Sequence, residues 1–146
     1  MPWENGILLT GFAAWFCSQL LKNIIHFILN HRIELDRLGG DGGMPSSHSA
    51  IVTSVAVATG LRCGWDSALF AIAAVVAVIV MHDARGVRQE TGKQAKVINN
   101  LVELLESMGS GDLTPEETLK EFVGHTSRQV FVGGLLGVVV ALLMPR

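Results

Sequence analysis

Four apolar runs with almost no charge inside them constrain this chain more than any other feature: roughly Gly6 to Leu29, Ser47 to Leu61, Trp65 to Met81 and Gln129 to Met144. Core helices of a soluble bundle would carry a charged outer stripe, and the last three runs show none. A helix that crosses a bilayer needs about 20 residues, about 17 at the short end. Runs two and four are therefore short, yet they avoid the mid-bilayer charge that is costly in lipid. With 49% apolar and 16% charged residues, the expectation is one all-α domain over residues 1–146, an integral membrane helical bundle of about four spanning helices. The N-terminal "MPWENG" lacks the basic region of a cleaved signal peptide, so the first run is read as a span.

Four spans distribute the loops between two sides. Arg32, Arg37, Arg85, Arg88, Lys93, Lys96, Lys120 and Arg128 fall on one side, against Arg62 and Arg146 on the other. The basic side is expected to be cytoplasmic and both termini outside, with Trp3 and Trp65 in the outer aromatic belt. The formal net charge of -2 speaks against a nucleic-acid partner, which needs a net basic face. Cys17 and Cys63 lie on different apolar segments away from any metal-ligand pattern, and are read as packing residues.

Residues 84–127 are expected to form a helical extramembrane insertion on the cytosolic side. Within "TGKQAKVINNLVELLESMGSG" the residues Ile98, Leu101, Val102, Leu105 and Met108 have the three-and-four spacing of one helix face. After "GSG", Thr114 as N-cap, Pro115 at the first position and Glu116 and Glu117 in the first turn predict a second short helix. The insertion then forms a cytosolic cap or an interfacial layer.

Polar residues inside the apolar runs carry the functional information. Ser18, Lys22, His26 and Asn30 recur every four residues on the first run, with Gln19 and Asn23 beside them. One polar stripe results, facing the bundle. A snorkelling lysine accounts for Lys22 but not for its companions. His48, the stretch beginning "MHDARG" and "GHTSRQV" all fall at the same cytoplasmic depth, so Lys22, His48, Arg85 and His125 are expected to line one pocket.

"GGMPSSHSA" precedes the second run. With Pro45 in the first turn, free amides at Ser46, Ser47 and His48 would point out of the helix end beside two hydroxyls, and anions bind such ends. The same stretch also reads as a glycine-rich turn capped by serine.

"GGMPSSHSA", "HDARGVRQETGKQAKVIN" and "GHTSRQVFVGGLLG" resemble the divergent branch of the type 2 phosphatidic acid phosphatase family, relatives of the vanadium haloperoxidases. The resemblance covers nearly the whole chain. It implies an all-helical phosphatase fold that removes phosphate from lipid phosphates through a phosphohistidine, with no metal and no cofactor. It further implies His125 as nucleophile, His48 as the acid that protonates the leaving oxygen, and Lys22 and Arg85 as phosphate-binding residues. Ser46 and Ser47 are expected at the pocket mouth, also as phosphate-binding residues. Membrane lipids and a phosphomonoester or lipid phosphate are the expected partners.

The chain departs from the family pattern at three places. Seven positions beyond Lys22 stands Leu29 in place of an arginine-proline motif, and a long insertion separates Arg85 from His125. Gln129 occupies the position of the aspartate that orients the nucleophile. A neutral amide holds an imidazole tautomer but stabilises its positive charge less well than a carboxylate. Asp83 is a second candidate for the orienting group, or else a salt-bridge partner of Arg85 or Arg88.

A rival reading takes His82, Asp83, Asp41 and His48 as hard-metal ligands, but no pair has a metal motif's spacing. The alternative function is a catalytically degenerate member that binds phosphate or lipid, or serves membrane assembly. Gly133 and Gly137 on the fourth run form a close-approach face, either for a second copy in a homo-oligomer or for packing within the bundle.

Overall fold

The computed structural model describes residues 5–30, 43–108, 119 and 125–145. The described residues form five helices and no strand: α1 (Gly6–Asn30), α2 (Ser47–Cys63), α3 (Ala68–Arg85), α4 (Val87–Ser107) and α5 (Ser127–Leu143). The four apolar runs become α1, α2, α3 and α5, and the amphipathic stretch becomes α4. Asn5 opens α1 by accepting the Ile7 and Leu8 amides on its side chain, at 3.1 and 3.2 Å. Ser46 and Ser67 cap α2 and α3 in the same manner.

Burial in this bundle runs opposite to that of a water-soluble protein. The largest fully buried side chains are threonine, proline and serine: Thr10, Pro45, Ser18, Ser46, Ser49 and Ser54. Outside stand Phe12, Phe16, Ile28, Leu69, Ile72, Ile79, Phe131 and Leu135, all more than half exposed. An apolar surface of this extent is unstable in water but matched to lipid. Small residues at helix crossings are the means by which helices approach in a membrane, where lipid tails remove the hydrophobic incentive. Two stretches are long and apolar enough to cross a bilayer, Gly6–Ile28 and Ala68–Leu105, while Ser127–Leu143 is apolar but shorter. At 17 residues each, α2 and α5 extend about 26 Å, a little under a bilayer core of about 30 Å.

α2 is the central helix, packed on α1, α3 and α5. Alongside α1 it runs antiparallel: Gly6 faces Arg62, Gly11 faces Val55 and Ile51, and Ala14 shares a cluster with Ala50. Alongside α5 it runs parallel, with Gly133 against the carbonyl of Ser46 and Gly137 against that of Ala50 and the Ser54 amide. Both glycines are buried in this crossing, where a methyl would collide with backbone. Of the two uses weighed for this pair, the described contacts are those of packing within the bundle.

α3 and α4 are nearly one rod, interrupted at Gly86. The Gly86 amide still donates to His82 at 2.8 Å and its carbonyl accepts from Glu90 at 3.1 Å. Helix therefore continues past Met81 through the polar "HDAR", and α4 begins at Val87, ahead of the stretch that the apolar spacing marks. Ala95 is buried and Val102 and Leu105 are half-buried, whereas Ile98, Leu101 and Met108 are exposed. The Asn99 side chain pairs with the backbone of Leu119 in both directions, at 2.9 and 3.2 Å. The second short helix expected from Thr114 lies outside the described residues except at Leu119, which is not helical.

Candidate functional site

The helix directions place the C-terminal ends of α1 and α3 and the N-terminal ends of α2 and α5 at one end of the bundle. His48, in the first turn of α2, and His125, just before α5, meet there with ring centroids 6.2 Å apart and planes inclined by 58°. His125 is 3% exposed. Its backbone amide donates to the Ala84 carbonyl at 2.9 Å, which ties the start of α5 to the last turn of α3.

Gln129 determines how the His125 ring is held. Thr126 and Gln129 form a capping box: the Thr126 hydroxyl accepts the Gln129 amide, and the Gln129 side chain accepts the Thr126 amide at 2.9 Å. The atom facing that N–H is therefore the amide oxygen, Oε1. This oxygen also lies 3.3 Å from His125 Nδ1. An oxygen cannot donate, so a hydrogen bond across this contact has Nδ1 as its donor, and in the neutral imidazole the lone pair is then on Nε2. The contact is long, and its main value is orientation.

Gln129 also acts through its backbone. Its carbonyl accepts the Ser46 amide at 3.0 Å, so the entrances of α2 and α5 are joined directly. This corrects the expectation for "PSSH". Pro45 lies outside the helix, Ser46 is the N-cap, and the Ser46 amide is committed to Gln129 rather than pointing at an anion. The Ser46 hydroxyl accepts from the Ser49 amide at 3.4 Å and from the Ser49 hydroxyl at 3.1 Å, with the residue fully buried. The amides without an intrahelical carbonyl partner are those of the first turn, beginning with Ser47. Ser47 is 6% exposed, and its hydroxyl has no hydrogen-bond partner.

The other candidates lie on α1 and α3. Lys22 is half-buried one turn beyond Ser18 on a stripe of buried residues, Thr10, Ala14 and Ser18, of which Ala14 packs with Ala50 of α2 and Val140 of α5. Asp83 is half-buried beside Ala84, the residue that receives the His125 amide. Arg85, the last residue of α3, is exposed and lines a cleft of 540 Å³ between α3 and α5. His82 and Ser127 share its polar end, and Val78, Phe131 and Leu135 its apolar length. Among the described residues no three His, Cys, Asp or Glu side chains are grouped as metal ligands; Asp41 lies outside the described residues.

Two features were not extracted from the sequence. The capping box is written there as "TSRQ", a threonine three residues before a glutamine. His82 at the cleft mouth stands beside Asp83 in the same motif, and its place follows only from the helix continuing past Met81.

No solved structure matches the chain. The "Uncharacterized membrane protein YuiD" of Bacillus subtilis (strain 168) is 40% identical over 148 residues, covering 96% of this chain and 94% of that protein. The Divergent PAP2 family matches residues 3–140, a span that holds the whole helical bundle up to Val140 and both histidines, and the chain belongs to that family.

Proposed function

We propose that this protein is a multi-pass membrane phosphatase that hydrolyses a phosphomonoester, a lipid phosphate, through a phosphohistidine on His125 and without a metal. The observation that carries the reading is the contact of His125 Nδ1 with Gln129 Oε1 at 3.3 Å, which in the neutral imidazole leaves the lone pair on Nε2, in a ring whose centroid is 6.2 Å from that of His48. Nε2 attacks phosphorus and the ester P–O bond breaks. The alkoxide takes its proton from His48. Neutral His48 then removes a proton from water, whose oxygen displaces His125 and releases inorganic phosphate. Lys22 and Arg85 supply charge to the phosphoryl oxygens, where charge accumulates in such transfers. The start of α2 at Ser47 adds a helix-end amide.

The α3/α5 cleft supports a lipid substrate. Its apolar length suits an alkyl chain, and Arg85 stands at its polar end. Loop charge supports a cytoplasmic site, since Arg85, Lys93, Lys96 and Arg128 lie at or beyond that end.

Purified protein incubated with a panel of lipid phosphates, with free phosphate measured with and without vanadate, tests the reading. Vanadate-sensitive release that disappears in His125→Ala is the expected result. Bound phosphate with no release by wild type would select the degenerate binding role instead, a reading favoured by the neutral Gln129 in the family's aspartate position.

A further inference from the structure

Four buried hydroxyls of this bundle follow one habit. Thr10, Ser18, Ser54 and Thr59 each donate to a carbonyl one turn back in their own helix, at 2.7, 2.6, 2.8 and 2.7 Å. A polar group is thereby satisfied in an apolar interior without outside help. Among the described residues, Ser47 Oγ and Gln19 Oε1 are buried atoms with no hydrogen-bond partner in the protein. Leaving such a group unsatisfied is costly, and a ligand or ordered solvent is the usual remedy.

The helix register brings the two residues to the same level of the α1/α2 interface. A groove of 370 Å³ between α1 and α2 is lined by Leu8, Gly11, Phe12 and Trp15 on one side and Ile51 and Val55 on the other. One turn beyond Trp15 along α1 comes Gln19, and one turn before Ile51 along α2 comes Ser47. In the antiparallel register that pairs Gly11 with Val55 and Ile51, these two residues are the next rung of the groove. His48 follows Ser47 directly, so the rung adjoins the histidine pair.

Their chemistry restricts what can satisfy both. Gln19 Oε1 only accepts, whereas the Ser47 hydroxyl donates or accepts. A phosphate dianion has no hydrogen to give Gln19. An alcohol does both tasks: its O–H donates to Gln19 Oε1 and its lone pair accepts from Ser47. We infer that Gln19 and Ser47 form a hydroxyl-recognising subsite for an alcohol group carried by the ligand close to its phosphate. This inference rests on the phosphomonoester reading and adds the class of headgroup, a phosphorylated polyol.

Two probes separate this subsite from the phosphate site. In 1-oleoylglycerol 3-phosphate a free hydroxyl stands next to the phosphorylated carbon, and 3-oleoyloxypropyl phosphate lacks only that group. Binding of each to purified protein in detergent micelles is measured by competition with vanadate. Wild type is expected to prefer the hydroxylated probe about tenfold, the worth of two neutral hydrogen bonds. Gln19→Leu, which cannot accept, is expected to bring the ratio near one, and Gln19→Glu, which can, to keep it. Should the leucine variant fail to fold, Gln19→Met serves as the length-matched replacement. Equal binding of both probes by wild type overturns the inference, as does a preference that survives in Gln19→Leu. Binding of neither probe overturns the phosphomonoester reading beneath it.

Discussion

Replacing Gly133 by alanine sets two effects of known size against each other. Alanine is favoured over glycine in a helix interior by about 1 kcal/mol. The added methyl, however, collides with the Ser46 carbonyl oxygen and lies 3.1 Å from the Ser46 carbonyl carbon and Cβ. Backbone cannot rotate aside as a side chain can, so α5 must move off α2, and overpacking of this kind costs roughly 1–3 kcal/mol. The same movement stretches the bond from the Ser46 amide to the Gln129 carbonyl, now 3.0 Å, which is worth about 1 kcal/mol more. The clash wins, and Gly133→Ala is expected to lose about 2 kcal/mol net. The adjacent glycine provides the control. A methyl at Gly134 meets only Thr53 Oγ1 at 3.6 Å and Met81 Sδ at 3.8 Å, ordinary contacts, so Gly134→Ala should gain up to about 1 kcal/mol. Unfolding in mixed micelles titrated with dodecyl sulfate measures both. If Gly133→Ala proves as stable as Gly134→Ala, the parallel α2/α5 crossing described above is wrong.

Further outcomes follow from the site. His125→Ala should abolish turnover while vanadate still binds, because Lys22 and Arg85 retain the anion attraction; full activity in that variant refutes the nucleophile. The His48→Ala defect should be smaller with p-nitrophenyl phosphate than with a lipid phosphate, since a phenolate leaves without a proton far more readily than an alkoxide; equal defects would remove His48 as the acid. Gln129→Asp should raise the rate through better stabilisation of imidazolium, and an unchanged rate would mean that this residue does not limit the chemical step. With Cys17 and Cys63 removed, a cysteine introduced at Lys96 should resist membrane-impermeant reagent applied outside the cell, and efficient labelling there would invert the orientation.

The helices were legible because lipid leaves a strong mark on composition: a run such as "ALFAIAAVVAVIV" has few alternatives. Their ends were less so. Polar "HDAR" continues α3 because helical hydrogen bonding is indifferent to side-chain polarity, and the apolar spacing in α4 gives no signal before the first apolar rung. The pairing of the histidines was accessible through their common depth. The role of Gln129 was only half accessible. Its spacing from His125 was visible, but its backbone bond to Ser46 joins residues 83 positions apart and has no local trace. Pro45 was misplaced for a related reason: serine and proline compete for the helix entrance, and the tie to Gln129 favours Ser46 as the cap, which makes Ser47 the first helical residue.

The parallel seat of α5 on α2 has a consequence for how the protein is made. α1, α2 and α3 are joined by neighbouring contacts and can associate as they leave the ribosome, whereas α5 is synthesised after them and crosses back to the second. Such a long-range closure is slow, and a partly assembled chain exposes the surface that awaits it. His125 and Gln129 travel with that segment, so a chain not yet extended to it has His48 without His125. Catalytic pairing and completion of the fold are then a single event, and an α5 peptide spanning residues 125–145, added to a chain ending before it, should restore both or neither.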